Sequence, residues 1–420
     1  MPRNRPLLII FLIVFVNLLG FGIIIPLLPF YADHVGATPL AVGLLFAAYS
    51  VSQVLATPVL GNLSDRYGRR PVLLLSLLGT VISFALLAVA NVLWLLFVAR
   101  IIDGLSGGNI STARAYISDV TEEKDRARAY GLIGAAFGLG FIFGPALGGL
   151  LARFGYSAPA TAAAVLAALA LGLTWVALPE SHQPGALPAG QNARRPSPWR
   201  DLPRLLTRPL LGRLLLVNLL YWAAFAVYET TFALFAKARF NWGMSQVGYL
   251  LAALGVVGAI VQGGLIGMVV RRLGEKTTLV GGLFLAAAGL GAAAFIRSVP
   301  IFILVLLPAA VGAALSSPAL IALISHTAGP AEQGRVQGVS GALESLGRVI
   351  GPVWGNGLLG AIGEGAACFS AALVMLLVAL IAAGISGAHD VRAHDVRAPA
   401  GSATTDKARE AGPGPEAGQP

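Results

Sequence analysis

The chain has 420 residues, is 56% hydrophobic and only 11% charged, with a mean hydropathy of +0.79. Water-soluble domains carry about 25% charged residues, so the composition excludes a soluble fold and points to an integral membrane protein. The net charge of +10 does not point to nucleic acid, because the basic residues sit in short turns and one linker, with no basic stripe carrying interleaved aromatics.

In chain order, the first apolar run begins at Leu7, after MPRNR, and continues to about Tyr31. It is too long for the apolar core of a signal peptide and no small-residue cleavage site follows, so it predicts a retained first membrane helix. Spanning a bilayer takes about 20 mostly apolar residues. Twelve runs meet this length, at roughly 7–32, 40–60, 72–90, 92–116, 129–152, 157–178, 210–236, 245–270, 278–296, 300–325, 336–360 and 364–387. They are continuous rather than alternating, and too long for barrel strands. The predicted fold is an all-α membrane protein with twelve transmembrane helices in two pseudo-symmetric six-helix bundles. The expected units are a first bundle over 1–178, a linker over 179–209 rich in Pro, Arg, Gly and Ser, a second bundle over 210–387, and a disordered tail over 388–420. The tail holds a duplicated AHDVR.

Twelve spans put both termini on one side. Of the 29 Lys and Arg, most fall in segments on that side, and the opposite face holds only Arg153, Lys237, Arg239 and Arg297. The positive-inside rule then places both termini, the linker and the tail in the cytoplasm.

Between spans 2 and 3 lies GNLSDRYGRRPVLLL, with Asp65, Arg66, Arg69 and Arg70 framed by Gly61, Gly68 and Pro71. A topology signal needs only Lys and Arg. Asp65 and the glycines suggest a gate instead: Asp65 accepting from a helix N-terminus, the arginines reaching acids or helix carbonyls across the gap, and Gly61 and Gly68 allowing a tight turn. The pattern recurs. At an offset of 206, Gly61, Gly68 and Arg70 land on Gly267, Gly274 and Lys276; at 207, Arg128 and Gly131 land on Arg335 and Gly338. The second offset also carries Gly140, Gly144, Pro145 and Gly148 onto Gly347, Gly351, Pro352 and Gly355. A near-constant offset is a mark of internal duplication. Glycines four apart share a helix face and let another backbone approach closely. Pro145 and Pro352 free carbonyls one turn earlier. Static packing and a sliding surface beside a kink are both open readings.

Ionisable groups at membrane depth are functional candidates by default. Arg100 and Asp103 share a face of span 4, and Glu344 and Arg348 share a face of span 11. Each pair either neutralises itself or takes part in coupling. Glu229 in span 7 has no basic residue within a turn on its own helix; it is either a proton or cation site or a group in outer water. Asn17, Phe21, Gln53, Asn109, Tyr221, Trp222, Phe225 and Gln262 form an aromatic and amide set suited to a bulky amphipathic solute, with lipid or core packing the alternative for each aromatic.

These motifs resemble the major facilitator superfamily. GNLSDRYGRRPVLL resembles its signature loop, RIIDGLSGGN its helix 4 motif, GLGFIFGPALGG its antiporter helix 5 motif, and NLLGFGIIIPLLP the helix 1 pattern of its twelve-helix drug exporters. SDRYGRRPVLL, AYISDVTEEKDRARAYGL and LPES are most similar to tetracycline efflux pumps. The resemblance is dense over 7–182 and diffuse beyond. It implies a gate at the signature loop and a part for Arg100 in proton coupling. It also has a gap. Those pumps carry acids in helices 1, 3 and 9, where this chain has Asn17, Ser83 and no acid in span 9. Recognition of a tetracycline chelate, and the proton site used there, does not carry over.

The expected function is therefore secondary transport: proton-coupled export of a hydrophobic or amphipathic drug-like compound by a monomer in the bacterial inner membrane. Its expected partners are a small-molecule substrate, protons and the lipid bilayer. A nutrient symporter or facilitator of the same fold is the first rival, and a non-transporting receptor or scaffold the second. No cofactor is expected, since no G-x-x-x-x-G-K-[ST] loop is present. No metal site and no catalytic residues are expected either: Cys368 is the lone cysteine, His34 and His326 sit at loop edges, and no Ser/His/Asp set occurs.

Overall fold

The computed structural model describes residues 5–122, 125–181, 198–329 and 332–385. Most of the linker, the tail 388–420 and the side chain of Arg128 lie outside the described residues. The first half contains α1 (Arg5–His34), α2 (Pro39–Tyr67), α3 (Arg69–Val89), α4 (Leu93–Ser106), α5 (Asn109–Val120), α6 (Arg126–Leu151) and α7 (Ser157–Ala177). A short α8 (Pro198–Leu206) precedes the second half. That half comprises α9 (Pro209–Phe240), α10 (Met244–Ile260), a π-helical turn (Val261–Leu265), α11 (Ile266–Leu273), α12 (Glu275–Ala293), α13 (Val299–His326), α14 (Gln333–Ala361) and α15 (Glu364–Ala383).

Eleven spans are long and apolar enough to cross a membrane, with α4 and α5 forming one and α10 to α11 another. The twelfth is α14, whose 29 residues suffice in length but which carries Arg335, Glu344 and Arg348. The twelve-helix fold is thus present, in two six-helix bundles. The duplication is visible in the backbone itself. The six positive-φ residues among those described fall into three pairs: Gly36 (φ 79) with Asn241 (φ 54), Gly68 (φ 102) with Gly274 (φ 78), and Gly155 (φ 107) with Gly363 (φ 125). Each pair turns the chain between equivalent helices.

The bundle has two ends. The basic end carries the 67–69 turn and the start of α1; the opposite end carries the 34–39 and 240–244 turns. One apolar cluster joins both halves, and it lies at the opposite end, where Ile24, Leu28, Tyr31 and Phe46 pack with Phe232, Phe235, Val247 and Phe302. Toward the basic end each half has its own cluster: Ile13, Leu77, Tyr116 and Ile133 in the first, Leu214, Leu283, Ile324 and Val339 in the second. Polar contacts follow the same division. Ser245 Oγ donates to the Gly149 carbonyl at 2.7 Å, Lys237 pairs with Asp33, and Arg153 stacks over Tyr249, all at the opposite end. Among the described residues, no hydrogen bond or ion pair joins the halves at the basic end. The halves meet at one end and part toward the other.

Several expectations are corrected. Span 2 does not stop near residue 60 but runs to Tyr67, so Gly61 lies inside α2. A side chain there would have nothing within 4 Å, and only Gly68 makes the turn. Span 4 is broken at Gly107–Gly108, where α2 passes too closely for side chains. A β-carbon at Gly107 would lie 2.8 Å from Gln53 Nε2, and one at Gly108 2.7 Å from Leu60 Cδ1. The linker ends in a helix, α8, tied to the first turn of α14 through Asp201–Arg335 at 3.3 Å.

The glycine faces pack within each half. A β-carbon on Gly144 would fall 2.6 Å from Gly22 Cα, and one on Gly140 2.8 Å from Leu18 Cβ, both on α1. A β-carbon on Gly347 would fall 2.8 Å from Ala223 N, on Gly351 2.3 Å from Ala223 O, and on Gly355 2.7 Å from Val227 Cγ1, all on α9. Gly148 faces Ile23 of α1 in the same way. In this structure these faces serve as packing surfaces inside each half. Contact between the halves uses neighbouring residues: Gly149 against Gly248, and the Pro352 carbonyl against Gly43. Pro145 contributes to both, its ring lying beside Gly22 and its carbonyl beside Gly248.

Candidate functional site

Two ion clusters sit at mid-depth. In the first half, Arg100 is fully buried and donates to Asp103 Oδ2 at 2.5 Å from one turn away. Its guanidinium also lies 4.2 Å from the centroid of the Tyr49 ring. That cation–π contact helps compensate a buried charge, since Arg100 Nε and Nη2 find no hydrogen-bond partner among the described residues. Gln53, one turn below Tyr49, donates to the Tyr49 hydroxyl at 3.1 Å and to the Gly107 carbonyl at 3.2 Å. Helix α2 thereby holds both the arginine and the carbonyl left unpaired at the α4–α5 break.

In the second half, Arg348 of α14 donates to Glu229 Oε2 of α9 at 3.1 Å and lies 3.6 Å from Glu344 Oε1. It stacks over Trp222, 4.4 Å from the ring centroid. Glu229 is thus not isolated in outer water. It is buried, and its counter-ion comes from another helix. Nor do Glu344 and Arg348 form a self-contained pair: one guanidinium serves two carboxylates. A charge at membrane depth requires such pairing, and the pairing of α9 with α14 cannot be read from either helix alone. Tyr49 lies on α2, which also packs against α14, the helix that carries Arg348.

The sequence-predicted pocket residues divide. Phe21 packs on Tyr49 and Phe141, with ring centroids 5.7 Å and 6.0 Å away. Trp222 and Phe225 are half-buried and mutually edge-on at 5.6 Å, beside Arg348. Asn17 is half-buried on α1. Tyr221 is instead part of the second-half core, donating to the Ala313 carbonyl at 3.2 Å. Asn109 is fully buried at the start of α5, and neither side-chain polar atom has a partner among the described residues. Gln262 is exposed in the π-helical turn, with no described hydrogen bond to the other pocket residues.

The charged turn at the basic end is braced inside its own half. Gly68 (φ 102) ends α2 and begins α3. The anion at the α3 N-terminus is Glu180, not Asp65: its oxygens accept from Arg69 N at 2.8 Å and Arg70 N at 3.0 Å, where a carboxylate is favoured by the helix dipole. Arg69 is buried, pairs with Asp65, and donates to Ser64 Oγ at 2.8 Å and Asp119 Oδ2 at 3.1 Å. Arg70 donates to the Trp175 carbonyl, and Arg66 is exposed over the Tyr67 ring. In this structure, the described partners of these arginines all lie in the first half. Sequence reasoning missed Tyr49, Asp119 and Glu180. Asp119 and Glu180 lie in the AYISDVTEEKDRARAYGL and LPES motifs, but neither motif points to the signature turn as its partner. Among the described residues, no group of three or more His, Cys, Asp or Glu could hold a metal.

Known proteins share this plan. The family model for the Major Facilitator Superfamily matches residues 10–352 and, in a second overlapping match, 263–405. The chain is 37% identical to the class C tetracycline resistance protein of Escherichia coli, covering 84% of this chain and 89% of that protein. It is 29% identical to multidrug resistance protein 2 of Bacillus subtilis, over 82% and 86%. Among solved structures, a human organic anion transporter is 28% identical with a TM-score of 0.65, covering 91% of this chain and 100% of that one. A nucleoside transporter superposes with a TM-score of 0.76 at 15% identity, over 91% and 100%, a likeness of fold alone. With twelve helices in two repeated halves, an ion cluster in each, and a family model spanning most of its length, this chain is a membrane transporter and belongs to the major facilitator superfamily.

Proposed function

We propose that the protein exports hydrophobic or amphipathic drug-like compounds in exchange for protons, by alternating access. The observation that carries this reading is the placement of two buried ion clusters at mid-depth between halves that meet at one end only. Carboxylates in such a position can change protonation as access alternates. The names of the relatives, tetracycline resistance and multidrug resistance proteins, support a drug as substrate. The positive-inside rule supports cytoplasmic termini in a bacterial inner membrane, so the basic end faces inward and is the open side here. The 65–70 turn is the inner gate. Its arginines and Asp65 are held within the first half while that side is open, and engage the second half when it closes. The boundaries 1–178, 179–209 and 210–387 are the corresponding rigid units and linker.

The test is proton movement in everted vesicles energised to an inward-acid gradient. Tetracycline and a panel of other drugs are added in turn. At least one compound should collapse the gradient, and Asp103→Asn and Glu229→Gln should abolish the response, because each leaves a buried arginine without its acid. Asp65→Asn should also stop transport while membrane insertion stays normal. If no compound has an effect on vesicles shown to contain the protein, the exporter reading fails and a nutrient carrier takes its place.

A further inference from the structure

Arg100 is fully buried, and Asp103 meets only one of its nitrogens. Nη1 donates to Asp103 Oδ2 at 2.5 Å, while Nε and Nη2 have no hydrogen-bond partner among the described residues. The Tyr49 ring faces the guanidinium instead, with its centroid 4.2 Å from Arg100 Cζ. The backbone sets this approach. A β-carbon at Gly104, one turn beyond Arg100, would fall 2.3 Å from the Tyr49 carbonyl oxygen, so α2 and α4 touch along their main chains here. Gln53 fixes the ring from its far end, donating to the Tyr49 hydroxyl at 3.1 Å and to the Gly107 carbonyl at 3.2 Å.

An arginine this deep needs a stabilising partner in every state of the site. While Asp103 is ionised, its carboxylate supplies one. When Asp103 takes up a proton, an O–H bond forms, the negative charge disappears and the guanidinium keeps only the ring. A neutral π face attracts a cation without changing its own charge, most strongly where water is excluded. The helices packed against α4 offer no substitute at this depth. Besides Tyr49, the ionisable groups of α2 are Asp65, Arg66 and Tyr67, all at the basic end. Those of α3 are Arg69 and Arg70, at the same end. Arg348 in the second half also lies on a ring, 4.4 Å from the Trp222 centroid. Trp222 is half-buried beside the space between the halves, whereas Tyr49 is 9% exposed, so its part can be tested apart from contact with a solute.

We infer that Tyr49, held by Gln53, is a positioning residue for proton coupling: it keeps Arg100 in place and its charge stabilised during the part of the cycle in which Asp103 is protonated. This rests on the exporter reading. The ring is also well sited to feel the other half. Helix α2 packs against α14, where the Pro352 carbonyl oxygen would lie 2.4 Å from a β-carbon on Gly43. Rocking of the second half against α2 and protonation of Asp103 therefore bear on one helix.

The test is a double-variant cycle on the unfolding temperature of the purified full chain in detergent. Asp103→Asn imitates the protonated acid, being neutral and of the same shape. Tyr49→Leu should lower the unfolding temperature more in the Asp103→Asn background than beside the native Asp103 at pH 8. Tyr49→Phe keeps the π face and should lose little in either. A ring that merely fills space would give equal losses in both backgrounds; that result, or a Phe variant as damaged as the Leu variant, would overturn the inference. If Asp103→Asn does not fold, pH makes the same comparison: the deficit of Tyr49→Leu should widen between pH 8 and pH 5, and a constant deficit counts against the ring. In everted vesicles, Tyr49→Leu should cut drug-driven proton movement about tenfold and move its optimum about one pH unit lower, because protonation of Asp103 then leaves a bare buried cation. Tyr49→Phe should keep the original optimum, and Gln53→Leu should fall between. A drug response with an unmoved optimum sinks the Tyr49 inference alone. No drug response from the unmodified protein sinks the exporter reading, and the cycle still decides whether the ring supports Arg100 beside a neutral partner.

Discussion

The two halves share a backbone and differ in where their charges are spent. In the first half the mid-depth cluster is a neutral pair on one helix, Arg100 with Asp103, sealed by Tyr49. In the second it spans two helices and holds two acids for one arginine. The turns at the basic end differ as well. Gly68 lies under the Glu180 carboxylate, which caps α3, and Arg69 beside it is clamped by Asp65 and Asp119. Its repeat partner Gly274 has the same kind of backbone and nothing within 4 Å of where a side chain would be. Duplication therefore supplied two copies of one scaffold, and side-chain chemistry divided the work: a turn clamped by three acids and a balanced pair in one copy, a turn with, among the described residues, the single Glu275–His326 contact at 3.0 Å and an unbalanced cluster in the other.

The sharpest way to break this comparison is to remove each arginine. Breaking a buried ion pair costs about 3–5 kcal/mol. Arg100→Leu, at a fully buried site, should cost near the top of that range, seen as a large fall in unfolding temperature in detergent. Arg348→Leu is partly open, and should cost less stability but reduce drug-driven proton movement on the order of 100-fold, the equivalent of about 3 kcal/mol. Equal stability losses and equal transport losses in the two variants would mean the clusters are interchangeable.

A smaller contrast lies in the turns. A non-glycine residue in this backbone region costs about 1–3 kcal/mol. Gly274→Ala should show that strain alone. Gly68→Ala adds a collision with Glu180, whose Oε2 would lie 2.5 Å from the new β-carbon, so it should destabilise more and loosen the α3 cap. Matching thermal shifts would show that the Glu180 brace is dispensable.

The smallest effect belongs to the surface. Arg208 donates to Glu332 at 2.8 Å and 2.9 Å, and this bidentate contact holds the Glu332 carboxyl below its ordinary range. The pair's contribution is therefore present above a pH of about 4.3, the unfolded value, and is lost as pH falls through the lower folded value. Both groups are partly open to solvent, so the change is slight. Glu332→Gln should lower stability slightly at pH 7 and flatten the acid side of the profile between pH 5 and 3, so that the two proteins converge at low pH.

Much of this was legible in the chain because a bilayer imposes strict local rules. Length and continuity of apolar runs gave twelve helices, since each span must satisfy its backbone internally. The offset glycines announced the duplication, and the six positive-φ turns repeat it in three dimensions. The functional pairings were less accessible. Arg100 and Asp103 could be paired because they are neighbours on one helix. Glu229 and Arg348 are 119 positions apart, and nothing in either helix specifies the other as partner. Glu180, just past α7, and Asp119 of α5 reach the signature turn only after α3 has packed against both helices.

The sequence by itself determined the solvent in which this protein folds, the number of its spans, the repeat that relates its halves and the set of charges that enter the membrane. Those are properties of composition, periodicity and the energetic cost of burying a charge. Tertiary structure alone decided which carboxylate each arginine serves, that the glycine faces bind α1 and α9 within their own halves, and that the halves close at one end. Such choices depend on which helix faces meet, and helices built from one repeated scaffold can meet in more than one way.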